Sequence, residues 1–141
     1  PVPLDDTVAG GVDSSFVVES NDDMHISYYT LAGALRYISF SNSSWSTPET
    51  VDSSGAASTS GGEGTSLAIA EDGTVHISYF DFVNQDLKHA WGASGSWAID
   101  VVDSSGDVGS DSSLAIAPDG TVHITYYDRD NKDLKHAWLS P

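Results

Sequence analysis

The sequence predicts an all-β fold, a β-propeller whose three blades are each a sheet of four antiparallel strands. Three observations predict it. First, the stretch Leu67–Trp91, LAIAEDGTVHISYFDFVNQDLKHAW, recurs 47 positions later at Leu114–Trp138, with 19 of 25 residues identical. A looser copy lies upstream, with Phe16, His25, Ile26, Ser27, Tyr28, Tyr29, Leu35 and Arg36 in the matching places. Repeats of about 40–50 residues belong to solenoids, propellers and arrays, whose units bury their faces only against neighbours. Second, the apolar residues follow the two-residue period of strands, and no stretch carries the 3.6-residue period of a helix. Third, both faces of the first two strands of each repeat carry apolar or small residues. That suits a sheet covered on both sides, where a two-layer sandwich would show polar-out alternation.

The elements follow in order within the second repeat. Ser66–Ala70 is a short apolar strand, A. Glu71-Asp72-Gly73 is a tight turn, with Gly supplying a positive φ. Thr74–Asp81 is strand B, with Val75, Ile77 and Tyr79 on one face and His76, Ser78 and Phe80 on the other. Phe82–Asp86 is a hairpin loop, Leu87–Trp91 is strand C, and Trp97–Asp103 is strand D. The connection Ser104–Ser112, rich in Ser, Gly and Asp, leads to the next strand A. The whole chain reads as one propeller segment, 1–141, with blade 1 at about 12–52, blade 2 at about 64–103 and blade 3 at about 111–138. Residues 2–5 stand where a strand D would end and are expected to serve as a closing outer strand. Propellers carry about 4 to 8 blades, so three call for more. A homodimer closing six blades is the leading expectation; a larger ring or a longer array is the alternative.

Composition bounds the partners. The 141 residues contain no cysteine, which removes disulfide and thiolate chemistry. Five Lys and Arg against 21 Asp and Glu give a net charge of −16. Such a field repels phosphate backbones and anionic lipid, so neither nucleic acid nor membrane insertion is expected. No apolar run approaches the roughly 18 residues of a membrane span. The richness in Ser, Thr, Gly, Asp and aromatics with little Lys points to an extracellular or cell-surface setting.

The motif S-L-A-I-A-x-D-G-T-V-H-I-[ST]-Y-[FY]-D followed by D-L-K-H-A-W resembles the repeats of secreted bacterial propellers of the BNR, or Asp-box-like, kind. Ala70 and Asp72 fall in the Ser and Asp places of the family's Ser-x-Asp-x-Gly-x-x-Trp box, with Gly73 and His76 each one residue before its Gly and Trp places. A short chain that closes its ring by oligomerising is similar to the small propeller lectins of bacteria and fungi. That similarity implies sugar binding without a required cofactor.

Alternating strand direction puts the A–B and C–D turns at one end of the blades, and the B–C hairpins and D–A connections at the other. The first end carries the tryptophans Trp45, Trp91, Trp97 and Trp138, whose indoles suit stacking on a sugar face. The competing reading has them plugging the wedge between adjacent blades. The second end carries the hairpin acids. Asp81 and Asp128 are candidates to bond ligand hydroxyls. Asp128, Asp130 and Asp133 have a spacing that resembles a calcium loop. The positions shared between repeats are Asp, Asn and Asp, however, which favours side chains capping their own hairpin. His25, His76 and His123 repeat at one strand-B position, too far apart for a shared zinc, and are expected to bond a neighbouring blade's backbone.

The function expected is that of a non-catalytic binding module for a neutral glycan or other small ligand. A structural or adhesion scaffold is the first alternative and a glycoside hydrolase the second. An enzyme has little support: only Arg36 and Arg129 are available for an anionic sugar, and near-identical blades are a poor source of one asymmetric carboxylate pair.

Overall fold

The structure, a computed structural model, describes residues 3–7, 10–53 and 64–141. These hold strands and no helix. Blade 1 is β1 (Gly10–Val18), β2 (Met24–Thr30), β3 (Leu35–Ser41), β4 (Ser44–Trp45) and β5 (Glu49–Asp52). Blade 2 is β6 (Thr65–Ile69), β7 (Val75–Asp81), β8 (Asp86–Ala93) and β9 (Ser96–Asp103), and blade 3 is β10 (Val108–Ile116), β11 (Val122–Asp128) and β12 (Asp133–Leu139). Each blade is a separate antiparallel sheet with its strands in chain order. In blade 1 the fourth strand is split, with β4 and β5 both pairing with β3 on either side of Thr47-Pro48. Proline has no N–H for the ladder, so the strand breaks there.

The turns form as their residues dictate. Gly73 and Gly120 take positive φ in the A–B turns, and the carboxylates of Asp72 and Asp119 accept the N–H of Thr74 and Thr121 at 2.9 and 3.0 Å. In the blade 2 hairpin Asp81 Oδ1 accepts the N–H groups of Val83 and Asn84 at 2.9 and 3.2 Å. Asp128 repeats this on Asn131 at 2.9 Å.

The cores lie between sheets. Tyr29, Leu35, Tyr37 and Val51 of blade 1 pack on Leu67, Val75, Ile77 and Tyr79 of blade 2. Leu87 of blade 2 packs on Val108, Leu114, Ile124 and Tyr126 of blade 3. Burial of each such side chain contributes on the order of 1.5–3 kcal/mol. The same polar bonds recur at both junctions. Ser15 Oγ accepts the Leu67 N–H at 3.0 Å, and Ser66 Oγ accepts the Leu114 N–H at 2.9 Å. The hydroxyls of Ser27 and Thr65 meet at 3.1 Å, and those of Ser78 and Ser112 at 2.9 Å.

The two outward faces are the same surfaces without their covers. Leu87 is fully buried, and its counterpart Leu134 in blade 3 is 81% exposed. Leu67 is 4% exposed, and its counterpart Phe16 in blade 1 is 55% exposed. β12 has no outer neighbour among the described residues. Of the residues expected as a closing strand, Val2 lies outside the described set, and Pro3–Asp5 form no strand. Asp5 is nevertheless engaged. Its Oδ2 accepts the Tyr28 hydroxyl at 2.6 Å and lies 3.3 Å from Arg36 Nη1.

Candidate functional site

Asp5 belongs to a motif present in every blade. In blade 2, Asp52 accepts the Tyr79 hydroxyl at 2.6 Å and lies 3.3 Å from Lys88 Nζ, which is itself 2.6 Å from Asp81. In blade 3, Asp103 accepts Tyr126 at 2.7 Å and meets Lys135 at 2.8 Å, with Asp128 3.2 Å from the same ammonium. Asp52 and Asp103 each end the fourth strand of the preceding blade, and all three aspartates bond to strands B and C of the blade that follows. Burial pushes the Asp81 carboxyl up, but the bonds from Lys88 and Asn84 outweigh it and hold it below the usual carboxylate range. Burial and the Asp103 bond together push the Tyr126 phenol up to about 12.

Two groups of expected site residues take part in such bonds. Asp81 and Asp128 are both 1% exposed, and their oxygens serve the hairpin and the lysine. In this structure they are structural ties between strands. Residues of the spacing that resembles a calcium loop are engaged in internal bonds too. Asp128 caps Asn131, and Asp130 Oδ2 accepts the Asp107 N–H at 3.1 Å. Among the described residues no group of three or more His, Asp or Glu side chains gathers to hold a metal ion.

At the opposite end a groove of about 1100 Å³ runs between blades 2 and 3. Its walls are the two A–B turns, His76, His89 and Trp91 of blade 2, and the end of blade 3 around Trp138. A ladder of rings builds the blade 2 wall. His76 Nδ1 lies 3.0 Å from His89 Nε2, their rings stack at 5.2 Å, and His89 stacks on Trp91 at 5.2 Å and 12°. The alternation of strand C puts residues 89 and 91 on one face, and the β7–β8 register brings His76 opposite. Blade 3 repeats the ladder with His123, His136 and Trp138. In blade 1 Tyr37 replaces the second histidine and bonds His25 Nδ1 at 2.6 Å, while Ser39 stands where Trp91 does.

The histidines were expected to reach a neighbouring blade's backbone. They bond instead to the next strand of their own blade. The paired recurrence of His76 with His89 and of His123 with His136 was the signal for it. His89 is 3% exposed, and burial, with a smaller effect from His76, lowers its pKa to about 4. Its Nδ1 is buried without a hydrogen-bond partner. With Nε2 tied to His76, that atom is the buried polar group the ladder leaves without a bond. A buried unsatisfied group costs on the order of 1–3 kcal/mol.

The four tryptophans do not form one site. Trp91 and Trp138 line the groove. Trp97 fills the wedge between blades 1 and 2, edge-on to Tyr37 at 5.2 Å, and Trp45 packs on Phe40 at 5.3 Å. Near Trp97, Glu49 Oε2 accepts the Gly95 N–H at 2.7 Å, while Glu49 Oε1 and Trp97 Nε1 are buried without partners.

A fucose lectin from Kordia zhangzhouensis, solved with methyl-fucoside, is similar in structure with a TM-score of 0.56 at 14% identity, over 90% of this chain and 92% of that one. The lectin of Aleuria aurantia, a six-bladed β-propeller, is similar with a TM-score of 0.56 at 12% identity, over 91% of this chain and 42% of that one. The fold is a β-propeller. An intramolecular trans-sialidase from Ruminococcus gnavus shares this propeller likeness, with a TM-score of 0.59 at 17% identity over 96% of this chain and 33% of that one. The chain thus spans nearly the length of the Kordia lectin, about two fifths of the Aleuria lectin and a third of the trans-sialidase. No protein-family model and no curated protein sequence matches it.

Proposed function

We propose that this propeller is a non-catalytic, lectin-like carbohydrate-binding module acting outside the cell, with the groove between blades 2 and 3 as its site. One observation carries the reading: Trp91 and His89, whose buried Nδ1 has no hydrogen-bond partner, line the same groove. Sugar sites pair an apolar ring face with a few placed polar atoms, and a hydroxyl reaching His89 would satisfy a group that is otherwise costly. Similar folds in proteins solved with fucosides support it. The two arginines argue against an anionic substrate, because Arg36 lies 3.3 Å from Asp5 and Arg129 3.7 Å from Asp107, at the far end. Titration with sugars followed by tryptophan fluorescence tests the proposal. Quenching that saturates and is lost in Trp91→Ala is the expected result; no response at millimolar sugar overturns it.

The ring is closed, in this reading, by a second copy. Asp52 and Asp103 each end a fourth strand of one blade while bonding to the next. Asp5 makes the same bonds, so the segment it ends belongs to a blade preceding blade 1. The free edge of β12 in a partner is the seat that such a segment fits, and two chains in head-to-tail contact give six blades.

A further inference from the structure

We infer that the groove between blades 2 and 3 selects sugars bearing a protonated amine, a deepening that rests on the carbohydrate-binding reading above. The argument begins with where the charges are. All five cations, Arg36, Lys88, Arg129, Lys132 and Lys135, lie in a B–C hairpin or within the first three residues of the strand that follows it. That is the end of the blades away from the groove. The charged side chains lining the groove are Glu71, Asp72, Asp100 and Asp119, all carboxylates, with no lysine or arginine beside them.

Two of these carboxylates are fixed in place. Asp72 and Asp119 each accept a backbone N–H in their turn, and those bonds hold both below the usual carboxylate range. They stay ionised in neutral and slightly acid buffer, where a sugar amine is protonated. A cation in the groove therefore meets a wall that carries several anions, while the cations of the chain stand at the other end. Trp91 adds an aromatic surface, which attracts a cation by its ring quadrupole.

His89 supplies the second, independent observation. Its ring is nearly fully buried, lines the groove, and keeps Nδ1 without a partner. When Nε2–H donates to His76 Nδ1, the free Nδ1 presents a lone pair, which accepts from an ammonium or hydroxyl donor. The groove thus offers acceptors, anions and an aromatic face, with no lysine or arginine. An acidic sugar would meet only like charge.

The test is isothermal titration of the full chain, in slightly acid buffer at physiological salt. The probes are the trimer of glucosamine, its fully N-acetylated twin, L-fucose and N-acetylneuraminic acid. The expected result is binding of the amine trimer about tenfold tighter than its N-acetylated twin, the effect of one partly desolvated charge contact. Asp100→Asn should remove most of that preference, while Asp6→Asn, remote from the groove, leaves it. Equal affinity for the two trimers, or tighter binding of the acidic sugar, overturns the inference and leaves the lectin reading standing. A preference weakened equally by Asp100→Asn and Asp6→Asn overturns it too, since the attraction would then belong to net charge. No binding of any of the four sugars overturns the lectin reading itself.

Discussion

His89 shows what a single side chain does to this molecule. Burial favours its neutral form and lowers its pKa to about 4, against an ordinary value of 6.5. The unfolded chain therefore binds a proton across that interval and the folded chain does not. Stability from this group is complete above about pH 6.5 and falls as pH drops toward 4, by about 3 kcal/mol in all. Urea unfolding at fixed protein concentration, at a series of pH values in that window, checks it. His89→Tyr is the control, because blade 1 already carries Tyr37 at this place, bonded to His25. The variant should fold and lose most of the slope; an unchanged slope would assign the titration elsewhere. The sequence made the positions of Trp91 and Trp138 at one end of the blades legible. It did not show that Asp81 and Asp128 are buried, because Asp52 and Asp103, which complete their ion pairs, come from the preceding blade. Only the recurrence of an aspartate at the close of each strand D carried that signal.

At the scale of elements the strands of blade 2 were legible to within a residue or two, because alternation and Asp-Gly turns act locally. But β10 begins at Val108, inside the stretch Ser104–Ser112 read as a connection. The split of blade 1's last strand around Pro48 was not read, although proline marks it. What sequence could not convey is how closely the blades approach. Gly109 opens β10 at φ +107, and a Cβ there would lie 2.6 Å from the Leu87 backbone of blade 2. Gly73 has a similar positive φ of +86 in an open turn, with nothing within 4 Å of a Cβ. Alanine at Gly73 should cost only the backbone strain, about 1 kcal/mol. Alanine at Gly109 adds overpacking between blades and should cost about 2–4 kcal/mol. Thermal or urea unfolding of the two variants separates these contributions. Equal losses would show that the blades yield at this junction.

For the whole molecule the decisive property is that its outward faces match its internal junctions. Ser15 and Ser66 each accept an N–H from strand A of the following blade. Ser113, their counterpart in blade 3, would take the N–H of Phe16 in a partner, the residue matching Leu67 and Leu114. Leu134 and Phe16 would lose their exposure of 81% and 55% in the same contact. Sequence could show that three blades recur, and folding shows which side chains remain uncovered. Association in solution is therefore the expected outcome. Analytical ultracentrifugation should give about twice the 14.9 kDa of one chain. Phe16→Glu and Leu134→Lys each put a charge where an apolar side chain would be buried. Each should weaken association by tenfold or more, since about 1.4 kcal/mol already gives that factor and burial of such a side chain contributes more. Combined in one chain the two variants should leave a species of single-chain mass that keeps its β-sheet circular dichroism. A wild-type chain that sediments at 14.9 kDa across micromolar concentrations would mean that these faces do not pair.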